Sequence, residues 1–198
     1  MKVVGLCGGS GSGKSLVCSF FNDFGVKCID TDMIYHEIIS VNSECTNELI
    51  SYFGDSISAS PGIDRAKLRD IAFRSDDNLK ILNAITHKHI LNEVRLRITE
   101  IKTEGTAIGI IIDAPLLFES GFDEECELTV AVISDTDKRI ERIIERDGIS
   151  YDQAVSRVSR QISNDTLIKI CDYVIENNST PDALKSQVCE LTSTLFDD

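Results

Sequence analysis

The stretch Gly8-Gly9-Ser10-Gly11-Ser12-Gly13-Lys14-Ser15 satisfies every fixed position of the pattern G-x-x-x-x-G-K-S/T and restricts the fold more than any other feature. Glycines let successive backbone N–H groups face inward around an anion. Lys14 adds a mobile positive charge, and Ser15 offers a hydroxyl that can ligate Mg²⁺. Such a loop needs a strand before it and a helix N-terminus after it, whose dipole and free N–H groups complete the anion site. Both flanks are present: residues 2–6 form a short apolar, β-branched run, and residues 16–24 carry apolar side chains at helical spacing before Gly25. The chain is therefore expected to hold a nucleoside triphosphate.

With 198 residues, one domain with room for insertions is expected. A net charge of −13 provides no basic field for nucleic acid or an anionic membrane, so phosphate recognition must be local and neither partner is expected. The seven cysteines form no C-x-x-C pair and have no histidine at metal-ligand spacing, so they read as reduced core residues. No secretory h-region precedes the loop and no later apolar run approaches the length of a membrane span. A soluble, cytoplasmic protein is expected.

Strands are predicted at 3–6, 26–29, 107–112, 128–133 and 173–175, alternating with helices, which implies an α/β protein with a parallel sheet and helices on both faces. About eighty residues separate the second and third strands, far more than one crossover helix needs. They read as helices at 33–39, 45–53, 65–73, 79–85 and 90–102. A second insertion carries a helix at 138–146 ended by Gly148, then a capping box at Ser150 to Gln153 that opens another. The last helix starts with Thr180 as N-cap and Pro181 at its first position. The expected domain is thus a core (1–32, 103–137, 164–198), a helical insertion (33–102) and a lid (138–163).

Ile29-Asp30-Thr31-Asp32 ends the second strand at the carboxyl edge of the sheet, where open α/β folds bind ligands. Phosphoryl transfer to an alcohol needs a carboxylate that orients the hydroxyl and takes its proton. Asp32 is the candidate catalytic base, with an N-cap of the following helix as its competing role. Asp113, ending an apolar strand, is either a Mg²⁺-side acid acting through water or a turn cap. Arg142 and Arg146 share a helix face and either meet the nucleotide or pair with Glu141 and Glu145. His87 and His89 point to different faces of a helix, which argues against a metal pair.

Joined together, the glycine loop, Asp30-Thr31-Asp32, Asp64-Arg65-Ala66-Lys67-Leu68-Arg69, Asp113-Ala114-Pro115-Leu116-Leu117-Phe118-Glu119, Arg146-Asp147-Gly148 and Asp172-Tyr173-Val174-Ile175-Glu176-Asn177 resemble the dephospho-CoA kinase family in order and spacing over nearly the whole chain. The resemblance implies a P-loop kinase fold with a five-stranded parallel sheet, a helical substrate-binding insertion and a helical lid. It implies transfer of a phosphoryl group from ATP, with Mg²⁺, to the ribose 3′-hydroxyl of dephospho-coenzyme A, the last step of coenzyme A synthesis. It places ATP on the loop through Leu16 and on Arg142, Arg146 and Asn177, the acceptor on Asp32, Arg69 and His87, and catalysis on Asp32 and Lys14. Three positions depart from the family pattern: Leu16 stands where Thr is usual, Lys88 replaces a Pro after His87 so that the helix runs on, and no proline occurs at 163–166. A nucleoside or nucleoside monophosphate kinase of the same fold is the alternative. A GTPase lacks support, because no Asn-Lys-x-Asp segment occurs. The residues specify no oligomeric state.

Overall fold

The structure, a computed structural model, describes residues 1–196. Five strands, β1 (Val3–Cys7), β2 (Val26–Asp30), β3 (Gly109–Asp113), β4 (Leu128–Ile133) and β5 (Tyr173–Glu176), form one parallel sheet in the order β2-β3-β1-β4-β5. Every residue of β1 and β3 is buried, as the continuous apolar runs require of strands covered on both faces. Their register pairs Val4 with Ile111 on one side, and with Leu128 of β4 on the other.

Along the chain, α1 (Lys14–Asp23) joins β1 to β2. Four helices follow: α2 (Thr31–Ile39), α3 (Glu44–Phe53), α4 (Arg65–Ala72) and α5 (Asp76–Glu104). Between β4 and β5 lie α6 (Thr136–Asp147), α7 (Tyr151–Ser159) and α8 (Asn164–Ile170), and α9 (Pro181–Phe196) closes the chain.

The chain folds as two compact units, residues 1–29 with 101–198, and residues 30–100. In the first, Val17 and Phe21 of α1 and Leu184, Val188 and Leu195 of α9 pack on Val4, Leu6, Ile111, Val130 and Val132 of the sheet. The second has its own core of Ile39, Cys45, Leu49, Ile57, Leu68, Ala72 and Leu82. The hairpin of α6 and α7 carries a small satellite core of Ile140, Ile143 and Ala154.

Several expectations need correction. The helices predicted at 79–85 and 90–102 are one continuous α5 of 29 residues, which runs through Lys88 as the missing proline allows. Its buried residues Leu82, Thr86, Ile90, Val94 and Ile98 recur every fourth position, so the polar His87-Lys88-His89 interrupts the apolar composition without interrupting the buried stripe. α8 was not foreseen; Ser163 caps it by accepting from Thr166 N. The cap of α2 belongs to Asp30, whose Oδ1 accepts from Met33 N at 2.9 Å, and not to Asp32, which lies inside the first turn. The third strand starts at Gly109, two residues later than predicted; Ile108 N is donated instead to Gly25 O. All seven thiols are free, but Cys189 is exposed and is no core residue. Among the described residues no helix is long and apolar enough to cross a membrane.

Candidate active site

The glycine loop leaves the carboxyl end of β1 and runs into α1, with Gly13 as the residue before the helix at φ 98°, in the left-handed region. A side chain there would be strained by that backbone, and its Cβ would lie 2.1 Å from Asn177 Nδ2. The loop's carbonyls each have a donor. Gly8 O accepts from Lys14 Nζ at 3.2 Å, and Gly9 O from Ser12 N at 3.1 Å. Ser10 O accepts from Arg139 Nε at 3.0 Å, Gly11 O from Arg142 Nη1 at 3.1 Å and Ser12 O from Asn177 Nδ2 at 2.8 Å. Gly13 O accepts from the N–H groups of Leu16 and Val17 within α1. Carbonyls already satisfied by donors leave an anion to the loop's remaining N–H groups, which is the anion-binding arrangement the sequence calls for.

Arg142 and Asn177 therefore serve in this structure as braces on the loop backbone. Arg142 also donates to Ser134 Oγ and to Asn177 O, and neither Glu141 nor Glu145 is its partner. Arg146 pairs with the adjacent Asp147, Nε to Oδ1 at 2.6 Å and Nη2 to Oδ2 at 2.9 Å. Arg157 of α7 bonds the same carboxylate, which ties the two helices of the hairpin together. These hydrogen bonds, Arg146's first, hold the Asp147 carboxyl well below the usual carboxylate range.

Lys14 and Asp113 come together at the base of the loop, with Nζ 3.9 Å from Oδ1. Asp113 ends β3, is 8% exposed, and accepts from Cys18 Sγ at 3.6 Å. Cys7, immediately before the loop, lies 3.5 Å from Cys171 Sγ to Sγ. That contact and burial push its thiol pKa up, so it stays neutral beside an anion site. Ser12 is buried, and its Oγ has no hydrogen-bond partner. Among the described residues no three His, Cys, Asp or Glu side chains group to hold a metal ion. A hydroxyl, Ser15, and one carboxylate, Asp113, suit a hard cation that brings further oxygen ligands with it. Leu16, 38% exposed, offers no hydroxyl, and its N–H is used within α1. The segment after β3 lines a cavity of about 110 Å³ with Cys7, Gly9, Pro115, Phe118, Arg160 and Gln161.

In the unit 30–100, Asp32 is exposed in the first turn of α2. Arg69 lines a separate pocket of about 480 Å³ with Tyr35, Arg65, Phe73 and Leu82, so that two guanidinium groups and two aromatic rings border one concavity. Burial pushes the Tyr35 hydroxyl pKa up, which keeps it a neutral donor. His87 is half-buried on α5 and is not part of that lining. His89 meets Glu48 Oε2 at 2.6 Å, a contact between α5 and α3. Sequence reasoning counted Arg139 only as one of the cations of the predicted lid and gave Gln161 no role. No local pattern marks either, since Gln161 and the loop residue it touches are 151 positions apart.

The sequence profile of the family described as CoaE, dephospho-CoA kinase, matches residues 2–182. The dephospho-CoA kinase of Fusobacterium nucleatum is 40% identical over 98% of this chain and 99% of its own length. That of Corynebacterium glutamicum is 34% identical over 99% and 98%. Among solved structures, dephospho-CoA kinase from Campylobacter jejuni superposes with a TM-score of 0.72 at 24% identity, covering 98% of this chain and 97% of its own. Shikimate kinase from Acinetobacter baumannii superposes at 0.55 with 12% identity, covering 100% and 94%. The architecture is thus shared with kinases named for other acceptors, and it is the sequence match that discriminates.

Proposed function

This chain belongs to the dephospho-CoA kinase family, and we propose that it divides the family's reaction among Lys14, Ser15, Asp32 and the braced glycine loop. It is an ATP-dependent kinase that phosphorylates the ribose 3′-hydroxyl of dephospho-coenzyme A, giving ADP and coenzyme A. The alternative of a nucleoside or nucleoside monophosphate kinase is not favoured. The observation that supports the residue assignment is the hydrogen bonding of every loop carbonyl from Gly8 to Gly13, those of Ser10, Gly11 and Ser12 by side chains from distant elements, Arg139, Arg142 and Asn177. A loop backbone held this way offers its remaining N–H groups to phosphates with little rearrangement of the segment from Ser10 to Ser12.

In this reading the N–H groups of the loop and the start of α1 bind the ATP phosphates, while Lys14, held near Gly8 O and Asp113, swings to the β and γ oxygens. Ser15 would hold Mg²⁺, with Asp113 acting on it through water. The ion, when bound, neutralises charge on the transferring phosphoryl group. Asp32 orients the 3′-hydroxyl and takes its proton as the oxygen bonds to phosphorus and the bond to ADP breaks. Arg69 and Arg65, bordering a pocket with Tyr35 and Phe73, suit the phosphates and the adenine of the acceptor. The α6–α7 hairpin serves as the lid, and Arg142 and Asn177 act on ATP through the loop they brace. Reaction inside the cell, in the cytoplasm, fits a substrate pair of soluble nucleotides.

The test is an ADP-release assay with dephospho-coenzyme A, adenosine and AMP offered as acceptors. Dephospho-coenzyme A should give by far the highest kcat/KM, and Lys14→Ala should lower turnover on it by about a hundredfold or more. A preference for adenosine or AMP would overturn the acceptor assignment. Near-normal turnover of Lys14→Ala at saturating ATP would overturn the role given to the loop.

A further inference from the structure

Ser10 is held by two side chains that the loop pattern does not include. Gln161 Oε1 accepts from Ser10 N at 2.9 Å, and Gln161 Nε2 donates to Ser10 Oγ at 3.0 Å. Arg139 Nε donates to Ser10 O at 3.0 Å, and Arg139 Nη2 closes the circuit by donating to Gln161 Oε1 at 2.7 Å. The polar atoms of one loop residue are thereby fixed by one residue of α6 and one that follows α7.

Three further observations mark this circuit as more than a packing contact. Arg139 is 3% exposed, and the acceptors of its hydrogen bonds are neutral oxygens. A buried guanidinium without a carboxylate is costly to keep, and a bound polyphosphate is the anion that would compensate it. At Gly9 a Cβ would lie 2.0 Å from Arg139 Nη2 and 2.9 Å from Gln161 Oε1, so the glycine leaves the room that the pair fills. The circuit also anchors both ends of the α6–α7 hairpin to the loop. Arg139 lies in the first turns of α6, and Gln161 follows the end of α7.

We infer that Arg139 and Gln161 are positioning residues that latch the phosphate-binding loop to the helical hairpin through Ser10, so that nucleotide affinity depends on the hairpin being seated. The inference rests on residues 8–15 being the ATP loop and deepens that reading. Neither side chain needs to touch the reacting atoms. Each acts by fixing the direction of the Ser10 peptide, and movement of the hairpin away from the loop must break these bonds.

The experiment measures ATP binding by calorimetry without acceptor, together with kcat and both KM values. The proteins are wild type, Arg139→Ala, Arg139→Lys, Gln161→Ala and the Arg139→Ala/Gln161→Ala double variant. Each alanine variant should weaken ATP binding about five- to thirtyfold, the effect of losing a coupled set of hydrogen bonds. KM for dephospho-coenzyme A should move less than about twofold, since a uniform binding loss falls on one substrate. The double variant should be within about threefold of the worse single one, because both break one circuit. Arg139→Lys keeps the charge but not the fork and should remain defective.

Unchanged ATP affinity with a lowered melting temperature would make the pair a structural brace only. Multiplying effects would make the two residues independent, and recovery by lysine would make the charge, not the latch, the cause. Should Arg139→Ala fail to fold, Gln161→Ala, which removes no charge, decides the question. Because ATP binding is read without acceptor, wild type that binds ATP through the latch yet fails to phosphorylate dephospho-coenzyme A would sink the acceptor assignment and leave the latch standing.

Discussion

Asp30 and Asp32, two positions apart, divide a structural task, the helix cap made by Asp30, from the chemical one proposed for Asp32. The cap on α2 is made by Asp30 through Met33 N, so replacing Asp32 leaves that hydrogen bond in place. Asp32→Asn is therefore expected to melt close to wild type and to bind ATP normally. It should lose at least about a hundredfold in turnover, because a general base typically contributes that much or more. Asp30→Ala should show the reverse: about 1 kcal/mol of stability lost with the cap, and near-normal turnover per folded molecule. Thermal melts and steady-state rates on the two variants separate the roles. Normal turnover in Asp32→Asn would move the base elsewhere, with Asp113 the next carboxylate to test.

At the scale of elements, the α6–α7 hairpin is held by a small apolar cluster and by one carboxylate shared between Arg146 and Arg157. The Asp147 pKa is depressed below its ordinary 3.8, first by the Arg146 hydrogen bond and then by Arg157. A depressed folded-state pKa means that the contribution is complete above the unfolded value. It is lost as the pH falls through the folded one. Asp147→Asn should thus lower amide protection in α6 and α7 at neutral pH, and the difference from wild type should close as acid protonates the native carboxyl. All three side chains are substantially solvent-accessible, so the effect should be modest and shrink in high salt. Hydrogen exchange compared at matched pH reads it. A difference that persists unchanged in strong acid would mean that packing, not charge, joins the helices.

At the scale of the molecule, the loop depends on the sheet that delivers it. Ile111 is fully buried at the centre of β3, paired with Val4 of β1 and two residues before Asp113. Ile111→Ala should cost about 2–5 kcal/mol through lost burial and a residual cavity. Saturating ATP should restore part of that in thermal unfolding, about 2.7 kcal/mol at a hundredfold excess over Kd, since only the folded loop binds it. A variant whose melting temperature ignores ATP would show that the nucleotide binds outside the part of the molecule this core supports.

Strands β1, β3 and β4 were legible because strands buried on both faces must be continuous apolar runs, and such runs stand out from alternating or helical patterns; the edge strands β2 and β5, only partly buried, were marked by short β-branched runs in the alternation with helices. The loop was legible because its backbone geometry demands glycines at fixed positions, and the caps at Ser150 and Thr180 because their bonds reach only three residues along the chain. Helix α5 was read as two because polar residues at 87–89 mask a stripe that only its packing reveals. The braces could not be read as braces: Arg142 and Asn177 were expected at ATP itself, and their bonds to the loop carbonyls were not foreseen. Arg139 to Ser10, Arg142 to Gly11 and Asn177 to Ser12 join residues 129, 131 and 165 positions apart. A long polar side chain on a helix face carries no mark of which distant carbonyl it will meet. What the amino-acid order determined by itself was the local chemistry: which segments are strands and where phosphate can be cradled. What only tertiary structure decided was which cations stand behind that cradle, because a hydrogen bond to a backbone oxygen depends on proximity in space, which local sequence does not encode.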